Sequence, residues 1–309
     1  MKGYYLGIDM GSVSTNLVLM NSDKSIAHKI YIRSQGRPVD SLKEGMQQLR
    51  QQAGDFEVLG AGVTGSGRKL IGALVGADVV KNEITAHAIA AATEEPGVRT
   101  ILEIGGQDSK LIWMKDGIVQ DFAMNTVCAA GTGSFLDRQA GRLGITIEEL
   151  GPLAQRSQNP VRIAGRCAVF AETDMIHKQQ EGCQLADILR GLCQALARNF
   201  LSNLAKGRTL QEPILFQGGV AANPAMVTAF QEELQAQVRV PRYFDVMGAW
   251  GAAILAMEEM EGRGGRSSFK LELDQMKGPI SSFECTDCSN RCQIVRSGEM
   301  VWGSRCGKY

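Results

Sequence analysis

Two isolated cysteines have the residue pattern of reactive thiols. Cys128 lies in MNTVCAAGTGSF (124–135), and Cys167 lies in AGRCAVFAETDMI (164–176); in each stretch one cysteine precedes small residues and a helix-like run. A thiol at the start of a helix faces backbone N–H groups and the positive end of the helix dipole, both of which stabilise a thiolate. The two stretches therefore predict two thiols held where the thiolate form is favoured.

A second group of cysteines lies near the end of the chain at a different spacing. Cys285, Cys288 and Cys292 form a CxxCxxxC run, and Cys306 follows. Thiolates at such spacing converge on one centre, which predicts a metal or cluster site. Four cysteines suit either Zn²⁺ or a [4Fe–4S] cluster, and spacing does not choose between them. An electron-entry site, a zinc clip, a docking piece and a tail of free cysteines all stay open.

Three apolar strands run into glycine-containing turns, GIDMGS (7–12), EIGGQD (103–108) and QGGVAAN (217–223). Glycine lets backbone N–H groups approach phosphate oxygens because no Cβ stands in the way. Asp9 and Asp108 are predicted to hold a hydrated Mg²⁺, which keeps several waters and takes few carboxylates. One such turn alone is ordinary turn chemistry, but three in this order, with acids in the first two, predict a nucleotide site.

The predicted nucleotide contacts come from four segments that supply phosphate donors, backbone for a purine or ribose, and one acid before the last helix. They are Ser12, Val13, Ser14, Thr15, Asn16, Gly105, Gly106, Gln107, Gly218, Gly219 and Asp245. Gln107 and Glu103 are both candidates for activating a water molecule. Lys110 is interpreted either as a phosphate contact or as a charge at the end of a strand.

The elements that carry these turns repeat along the chain. A strand, a glycine turn and a hairpin open the sequence, and residues 99–125 repeat that plan with Asp116 and Gly117 as the hairpin turn. The repetition predicts an α/β protein with two lobes of related design. The segment after the second hairpin is rich in helix, and Cys183 and Cys193 there are interpreted as buried small side chains. A final helix with small residues on one side precedes the cysteine-rich end.

Composition excludes some partners. The 309 residues include 33 basic and 33 acidic side chains, a balance that argues against nucleic acid or an anionic membrane surface as the main partner. The N-terminus lacks the apolar core of a signal peptide, and no apolar run reaches the ~18 residues of a membrane span. We therefore expect a cytoplasmic protein, in which eight cysteines are not a disulfide framework.

The order of the three turns resembles that of the actin, sugar-kinase and heat-shock-chaperone ATPase superfamily. In that superfamily two ribonuclease-H-like lobes clasp ATP. The resemblance implies a first phosphate loop at 9–12, a second at 103–108 and an adenosine loop at 218–220. It also implies a two-lobed actin-like ATPase domain over 1–261. A linker (262–282) and a cysteine-rich tail (283–309) are predicted to follow.

The two cysteine stretches narrow the resemblance to the ATPase activators of 2-hydroxyacyl-CoA dehydratases and of benzoyl-CoA reductases. It covers residues 3 to 260, and EIGGQD and GGVAAN are similar to motifs of the same family. The resemblance implies ATP/ADP and Mg²⁺ as ligands, and one [4Fe–4S] cluster shared across a homodimer through Cys128 and Cys167 of each chain. It further implies anaerobic electron transfer to a dehydratase or reductase partner, with ferredoxin or flavodoxin as the electron donor.

Physical chemistry is compatible with the shared cluster that the resemblance implies. Two cysteines per chain cannot complete a four-thiolate cluster, whereas two chains can. We expect ATP binding and hydrolysis to move one lobe against the other and so to change the surroundings of the cluster. The tail departs from the compact activators, which end before it, and leaves the partner open.

Two other functions compete with the activator. A small-molecule kinase of the same superfamily would need an acid facing a sugar pocket, and it has no use for Cys128 and Cys167. An ATP-regulated binding module of the chaperone type would bind nucleotide without a cluster. The histidines, His28, His87 and His177, are scattered and receive no ligand role.

Overall fold

The computed structural model describes residues 1–125, 128–165, 167–270, 280–297, 300–304, 306 and 308. The chain divides into two compact units. Unit 1 comprises Met1–Ala86 and Gly248–Tyr309, and unit 2 comprises His87–Met247. In the part of the chain that the structure describes, no helix combines the length and the apolarity needed to cross a membrane.

The larger sheet of unit 1 has five strands, and it is accompanied by two helices of unit 1 and by two further helices whose residues fall in both units. The strands are β1 (Lys2–Met10), β2 (Ser14–Met20), β3 (Ile26–Arg33), β4 (Phe56–Thr64) and β5 (Val79–Val80). The helices are α1 (Pro38–Ala53), α2 (Arg68–Val75), α3 (Glu83–Glu94) and, later in the chain, α9 (Met247–Arg263).

Unit 2 contains five strands and most of the remaining helices. The strands are β6 (Thr100–Ile104), β7 (Ser109–Lys115), β8 (Ile118–Asn125), β9 (Ile214–Gln217) and β10 (Val238–Arg239). The helices are α4 (Gly133–Arg142), α5 (Ile147–Ala154), α6 (Ala168–Gln180), α7 (Leu185–Phe200) and α8 (Pro224–Leu234). A π-helical turn, Leu201–Ala205, extends α7, and 3₁₀ turns occupy Ala129–Gly131 and Gly219–Ala222.

The two sheets have the same topology. The strand order is β3-β2-β1-β4-β5 in unit 1 and β8-β7-β6-β9-β10 in unit 2. In each sheet the first three strands, counted along the chain, pair antiparallel. The fourth strand pairs parallel with the first on its other side, and the fifth pairs parallel with the fourth. The duplicated order confirms the prediction of two lobes of related α/β design.

Close packing of backbone fixes the sheet of unit 1 against its last helix. A Cβ on Gly7 or on Gly62 would collide with the carbonyl oxygen of Ala249 or of Ala252, respectively, both on α9. Glycine at these positions lets the helix lie directly on β1 and β4. The small residues of this helix, seen in the sequence as one-sided, are therefore a packing surface.

Three phenylalanines centre the core of unit 2. Phe200, Phe216 and Phe230 are fully buried, and the ring of Phe230 meets the other two edge-on, with centroids 5.3 and 5.0 Å away. Such edge-to-face pairs add to the burial energy of aromatic side chains. The cluster joins α7, β9 and α8, so the strand that leads to Gly218 is held between two helices.

The described part of the predicted linker, 262–270, is bonded to Asp78, which precedes β5 of unit 1. Ser267 donates from its hydroxyl and Ser268 from its backbone N–H to the carboxylate of Asp78, which Arg263 also approaches at 3.2 Å. The backbone N–H of Ala61 donates to the same carboxylate at 2.8 Å. Residues 271–279, the rest of the linker that precedes the described tail, lie outside the described residues.

The tail forms a three-stranded antiparallel sheet. Its strands are β11 (Ile280–Glu284), β12 (Gln293–Ser297) and β13 (Met300–Trp302), in the order β11-β12-β13. Strand β13 lies beside α2, so the tail adjoins the N-terminal part of unit 1.

The Asp78 contacts give a prediction about acid stability. Burial alone would raise the pKa of Asp78, but the hydrogen bonds from Ser267, Ser268 and Ala61 outweigh it and hold the pKa below its usual value. The stabilisation is therefore complete above the ordinary pKa of ~3.9 and is lost as the pH falls through the folded value. We expect Asp78→Asn to cost about 1–3 kcal/mol at pH 7 and to weaken this acid dependence.

Urea unfolding at pH 7 and below about pH 4, together with protease cleavage within 262–270, measures both effects. Asp55→Asn is the control because Asp55 is exposed on the same unit. Equal protease sensitivity of the Asp78 and Asp55 variants would contradict the proposed anchor.

Candidate functional site

In unit 1, three oxygen-bearing side chains lie side by side at the end of the sheet. Asp9 on β1 pairs in register with Asn16 on β2 and with Thr64 on β4, so the three share one face. All three are buried. Asn16 Oδ1 and Thr64 Oγ1 are fully buried and have no hydrogen-bond partner among the residues that the structure describes.

This row suits a hard cation or a phosphate-bound water. Buried polar atoms are almost always satisfied, so two unsatisfied oxygens beside a carboxylate indicate a polar ligand. Magnesium takes oxygen ligands and keeps several waters. Gly65 leaves room here, since a Cβ on it would lie 2.5 Å from Asp9 Oδ1. Thr64 was missed by the sequence reasoning, although its glycine-rich turn, GVTGSGR, was visible.

The turn after β1 carries the predicted phosphate donors. The backbone N–H of Gly11 donates to the carbonyl of Ser14 at 2.9 Å and closes the turn, with Ser12 exposed at its tip. Thr15 points to the opposite face from Asn16, where its hydroxyl lies 2.6 Å from Ser41 Oγ. The Thr15 side chain is therefore engaged inside unit 1.

Unit 2 has a corresponding row, and here it is internally neutralised. Glu103 on β6 pairs in register with Lys110 on β7 and with Gln217 on β9, and all three are buried. Lys110 Nζ donates to Glu103 Oε2 at 2.8 Å and to Asp108 Oδ1 at 2.9 Å. Burial opposes the charge of Lys110, but the two carboxylates outweigh burial and raise its pKa above the usual value. Lys110 is thus an internal ion-pair partner.

The row continues to a buried histidine. Gln217 Nε2 lies 2.9 Å from Nδ1 of His87. Burial, followed by the nearby charge of Lys110, lowers the pKa of His87 to about 3. His87 is therefore neutral at pH 7 and serves as a hydrogen-bond partner of Gln217.

Comparison of the two rows shows how the units differ chemically. Asp9 and Glu103 occupy the same place, one residue before the end of the first strand of their sheets. The neighbour on the next antiparallel strand is Asn16 in unit 1 and Lys110 in unit 2. Unit 2 supplies its own cation, whereas the residue at that position in unit 1 is uncharged.

The second glycine turn lies directly above the Glu103 carboxylate. The backbone N–H of Gly105 donates to the carbonyl of Asp108 at 3.1 Å, and Gln107 is exposed at the tip. Of the two candidates for activating water, Gln107 is thus accessible, and Glu103 is 4% exposed and ion-paired. Asp108 is partly exposed, and one of its oxygens is bonded to Lys110.

The third glycine turn packs against the same carboxylate. A Cβ on Gly218 would lie 2.5 Å from the carbonyl oxygen of Ile104 and 2.7 Å from Glu103 Oε1. The φ angle of Gly218 is +89°, in the region that favours glycine. Its N–H donates to the carbonyl of Phe244 at 2.9 Å, which places Asp245 beside this turn. Unit 2 therefore brings together the turn at 105–108, the turn at 218–219 and Asp245.

The cysteines Cys128 and Cys167 both lie in unit 2, half-buried and free. Cys167 is the N-cap residue of α6, as the sequence predicted for a helix entrance. Cys128 instead precedes the 3₁₀ turn Ala129–Gly131, and the following α-helix begins only at Gly133. The backbone N–H of Cys128 donates to Asn125 Oδ1 at 2.9 Å.

Backbone hydrogen bonds join the Cys128 segment to the second glycine turn. The N–H groups of Gly133 and Ser134, the first two residues of α4, donate to the carbonyls of Gly105 and Gly106 at 2.9 and 2.8 Å. A Cβ on Gly133 would lie 2.9 Å from the Gly105 oxygen. These hydrogen bonds connect the turn at 105–108 directly to the residues that follow Cys128.

The tail cysteines lie at the base of a hairpin. The backbone N–H of Cys285 donates to the carbonyl of Cys292 at 2.8 Å, and Cys288 lies in the loop between them. Cys285 is buried, and Cys288 and Cys306 are exposed. Within the described ranges, no group of three or more His, Cys, Asp or Glu side chains has a metal-binding arrangement. The four-cysteine site stays a prediction.

The remaining two cysteines differ in burial. Cys193 on α7 is fully buried, which raises the pKa of its thiol to about 12. Cys183 is half-buried in the turn before α7, outside the helix that the sequence predicted for it.

Two sheets of identical strand order, each with an acid and a glycine turn at the end of its first strand, define an α/β protein of the actin-like ATPase fold. A ROK family glucokinase from Streptomyces griseus shares that fold with a TM-score of 0.53 at 14% identity, covering 83% of this chain and all of that one, 100%. Residues 6–256 match the BadF/BadG/BcrA/BcrD ATPase family, and the chain belongs to that family.

Two relatives and one solved structure are similar to this chain over most of its length. The (R)-2-hydroxyglutaryl-CoA dehydratase activating ATPase of Acidaminococcus fermentans is 32% identical over 84% of this chain and 99% of its own length. A benzoyl-CoA reductase component from Thauera aromatica is 30% identical over 75% of this chain and 83% of its own length. The structure of the 2-hydroxyisocaproyl-CoA dehydratase activator from Clostridium difficile with bound ADPNP superposes with a TM-score of 0.79, at 32% identity over 84% and 96% of the two chains.

The buried ion pair yields a prediction about stability. Lys110→Met leaves Glu103 and Asp108 without their cation, and breaking a buried pair in this way costs about 3–5 kcal/mol. Because the folded pKa of Lys110 is raised, its contribution is complete at pH 7 and is lost only as the pH rises above the ordinary lysine value. The defect should therefore be smaller at alkaline pH, above the ordinary lysine pKa of ~10.4, than at pH 7.

Denaturant unfolding at both pH values measures the defect, and Lys115→Met, exposed at the end of the same strand, is the control. Adding Glu103→Gln to Lys110→Met should recover part of the loss, since it removes the unpaired buried charge. Equal stability of the two lysine variants at pH 7 would show that the ion pair does not hold this turn.

Proposed function

We propose that this chain is an ATP-hydrolysing iron–sulfur activator that delivers a low-potential electron to a 2-hydroxyacyl-CoA dehydratase-like or related reductase partner. Family membership supports the proposal, as do one relative that is a dehydratase-activating ATPase and one that is a benzoyl-CoA reductase subunit. The observation that carries it is the pair of half-buried free thiols, Cys128 and Cys167, in the same unit as two glycine turns.

ATP and Mg²⁺ are assigned to the ends of the two sheets. In unit 1, Asp9 and the turn at 12–16 would bind magnesium and phosphate, and the unsatisfied oxygens of Asn16 and Thr64 support this. In unit 2, the turn at 105–108 would bind phosphate, and Asp108 is proposed as a magnesium ligand. Gly218, Gly219 and Asp245 would contact the adenosine. The ADPNP bound by the related activator supports nucleotide as the ligand.

Water activation is assigned to Gln107 in preference to Glu103. Gln107 is exposed at the tip of its turn, and an amide can orient an attacking water without taking its proton. Glu103 is buried and committed to Lys110. We assign Glu103 the role of holding the turns at 105–108 and 218–219 in place.

The thiols suit a [4Fe–4S] cluster held between two copies of the chain. Thiolate sulfur is the ligand that such clusters require, and two chains provide the four needed. When bound, the cluster would accept one electron from a ferredoxin or flavodoxin and release it to the partner enzyme, while ATP and water become ADP and phosphate. Val169 and Phe170, 69% and 65% exposed in the first turn of α6 beside Cys167, offer apolar surface for a second copy.

Coupling between the nucleotide and the thiols is assigned to α4. Its first two N–H groups are bonded to the phosphate turn, and Cys128 lies five residues before the helix begins. A ligand that binds the turn differently before and after hydrolysis would therefore displace the Cys128 segment. The tail is assigned a metal or second cluster through Cys285, Cys288, Cys292 and Cys306.

The kinase alternative has less support. A sugar kinase shares the fold, but at 14% identity that likeness carries no function. The acids at the end of β6 and in its turn, Glu103 and Asp108, are both bonded to Lys110.

Iron and acid-labile sulfide measured anaerobically, with zinc alongside, test the proposal. We expect about two irons per chain, one four-iron cluster per dimer, and their loss in Cys128→Ala and Cys167→Ala. Cys183→Ala is the control because Cys183 is half-buried in the same unit and outside both stretches. About six irons per chain would add a second cluster in the tail.

No iron after reconstitution, with ATP still hydrolysed, would contradict the electron-transfer function and favour the kinase. Iron retained in both cysteine variants would remove Cys128 and Cys167 from the site.

A further inference from the structure

Asn199 is a buried amide at the end of α7 that contacts both cysteine segments. It is 1% exposed. Its Nδ2 lies 2.5 Å from the carbonyl oxygen of Gly165, two residues before Cys167, and 4.0 Å from Sγ of Cys128. One carboxamide thus bridges two segments that are far apart in the sequence.

The orientation of this amide is determined by its neighbours. Asn203 Nδ2, in the π-helical turn that extends α7, donates to Asn199 Oδ1 at 3.1 Å. The carbonyl of Gly165 can only accept, so the NH₂ group must face it. The donor side of Asn199 is therefore turned toward the cysteine segments, and π-helical turns of this kind are frequent at functional sites.

Both segments pack on one face of α7. A Cβ on Gly131, in the turn after Cys128, would lie 2.9 Å from Asn199 Oδ1. A Cβ on Gly165 would lie 2.9 Å from the carbonyl oxygen of Ala195, one helical turn before Asn199. Glycine at both positions lets the segments approach the helix closely, and residues four apart lie on the same face.

We propose that Asn199 is a positioning residue for the two cysteine thiols, which fixes the Cys128 and Cys167 segments relative to each other and donates an N–H to the Cys128 sulfur. The proposal rests on the proposed function, since it concerns the ligands of the cluster assigned there. An N–H donor to a ligating sulfur stabilises its negative charge and makes the cluster easier to reduce.

Hydrogen exchange of the iron-free protein provides the first test. Asn199→Asp keeps the size and the acceptor for Asn203 but loses the donor, and Asn199→Ala removes both. We expect amides in both segments, 128–134 and 163–169, to exchange about tenfold faster together, as the loss of one buried hydrogen bond implies. If Asn199→Ala does not fold, the isosteric Asn199→Asp decides the test.

Asn223→Asp is the matched control. Asn223 Nδ2 also lies 4.0 Å from a cysteine sulfur, that of Cys193, and its Oδ1 caps α8 by accepting from Ala225 and Met226. Aspartate retains the cap and loses the contact with sulfur. This variant should leave exchange in both cysteine segments as in the wild type.

The reduction potential of the reconstituted protein provides a second test that loose packing alone would not move. Both Asn199 variants should bind iron as the wild type does and shift the potential to more negative values. Asn199→Ala reports the loss of the donor alone, because the carboxylate of Asn199→Asp also adds a negative charge. Wild-type exchange in either cysteine segment together with an unchanged potential would overturn the positioning role while leaving the proposed function intact. Faster exchange in both segments, with no iron bound by any form, would instead refute the cluster and keep the bridging role of Asn199.

Discussion

The buried ion pair between Lys110 and Glu103 is the constraint on which the site of unit 2 depends. A charged carboxylate beneath two glycine turns is tolerable only because an ammonium group lies 2.8 Å away. Glu103 then fills the space that a Cβ on Gly218 would occupy and lies close beneath Gly105. The turns at 105–108 and 218–219 are therefore both held by one side chain. From the turn at 105–108, backbone hydrogen bonds lead to α4 and the segment of Cys128.

The same architecture in unit 1 has the opposite electrostatic character. Asn16 stands where unit 2 has Lys110, and two buried oxygens there lack partners among the described residues. In unit 2 the charge of Glu103 is balanced by Lys110, and one buried oxygen of the row, Gln217 Oε1, has no hydrogen-bond partner among the described residues, whereas the row of unit 1 combines an acid with two such oxygens. The same strand order thus carries two chemically different rows, one with an internal ion pair and one with an acid beside an asparagine. This chemical difference between the two rows is consistent with membership of an ATPase family.

The sequence predicted much of this because glycine turns, strand patterns and isolated cysteines are local signals. The two hairpin sheets followed from the repeated strand–turn–hairpin plan, and the entrance of α6 followed from the residues after Cys167. Lys110 was ambiguous because its partners depend on cross-strand register, which a single sequence does not reveal. Thr64 and Asn199 were missed for the same reason, since each acts on residues that only the fold brings near. The 3₁₀ turn after Cys128 escaped prediction because small residues and glycine are compatible with several turn types.

Hydrogen exchange of residues 128–134 with ADPNP and with ADP tests the central claim, that the turn at 105–108 and the Cys128 segment move together. Gly133→Ala places a Cβ against the Gly105 carbonyl, whereas Gly141→Ala, on the same helix, meets nothing within 4 Å. We predict that the two nucleotides give different exchange in 128–134 for the wild type and for Gly141→Ala, and that this difference is reduced in Gly133→Ala. Nucleotide-dependent exchange confined to 105–108 and 218–220, with 128–134 unchanged in all three proteins, would contradict the account.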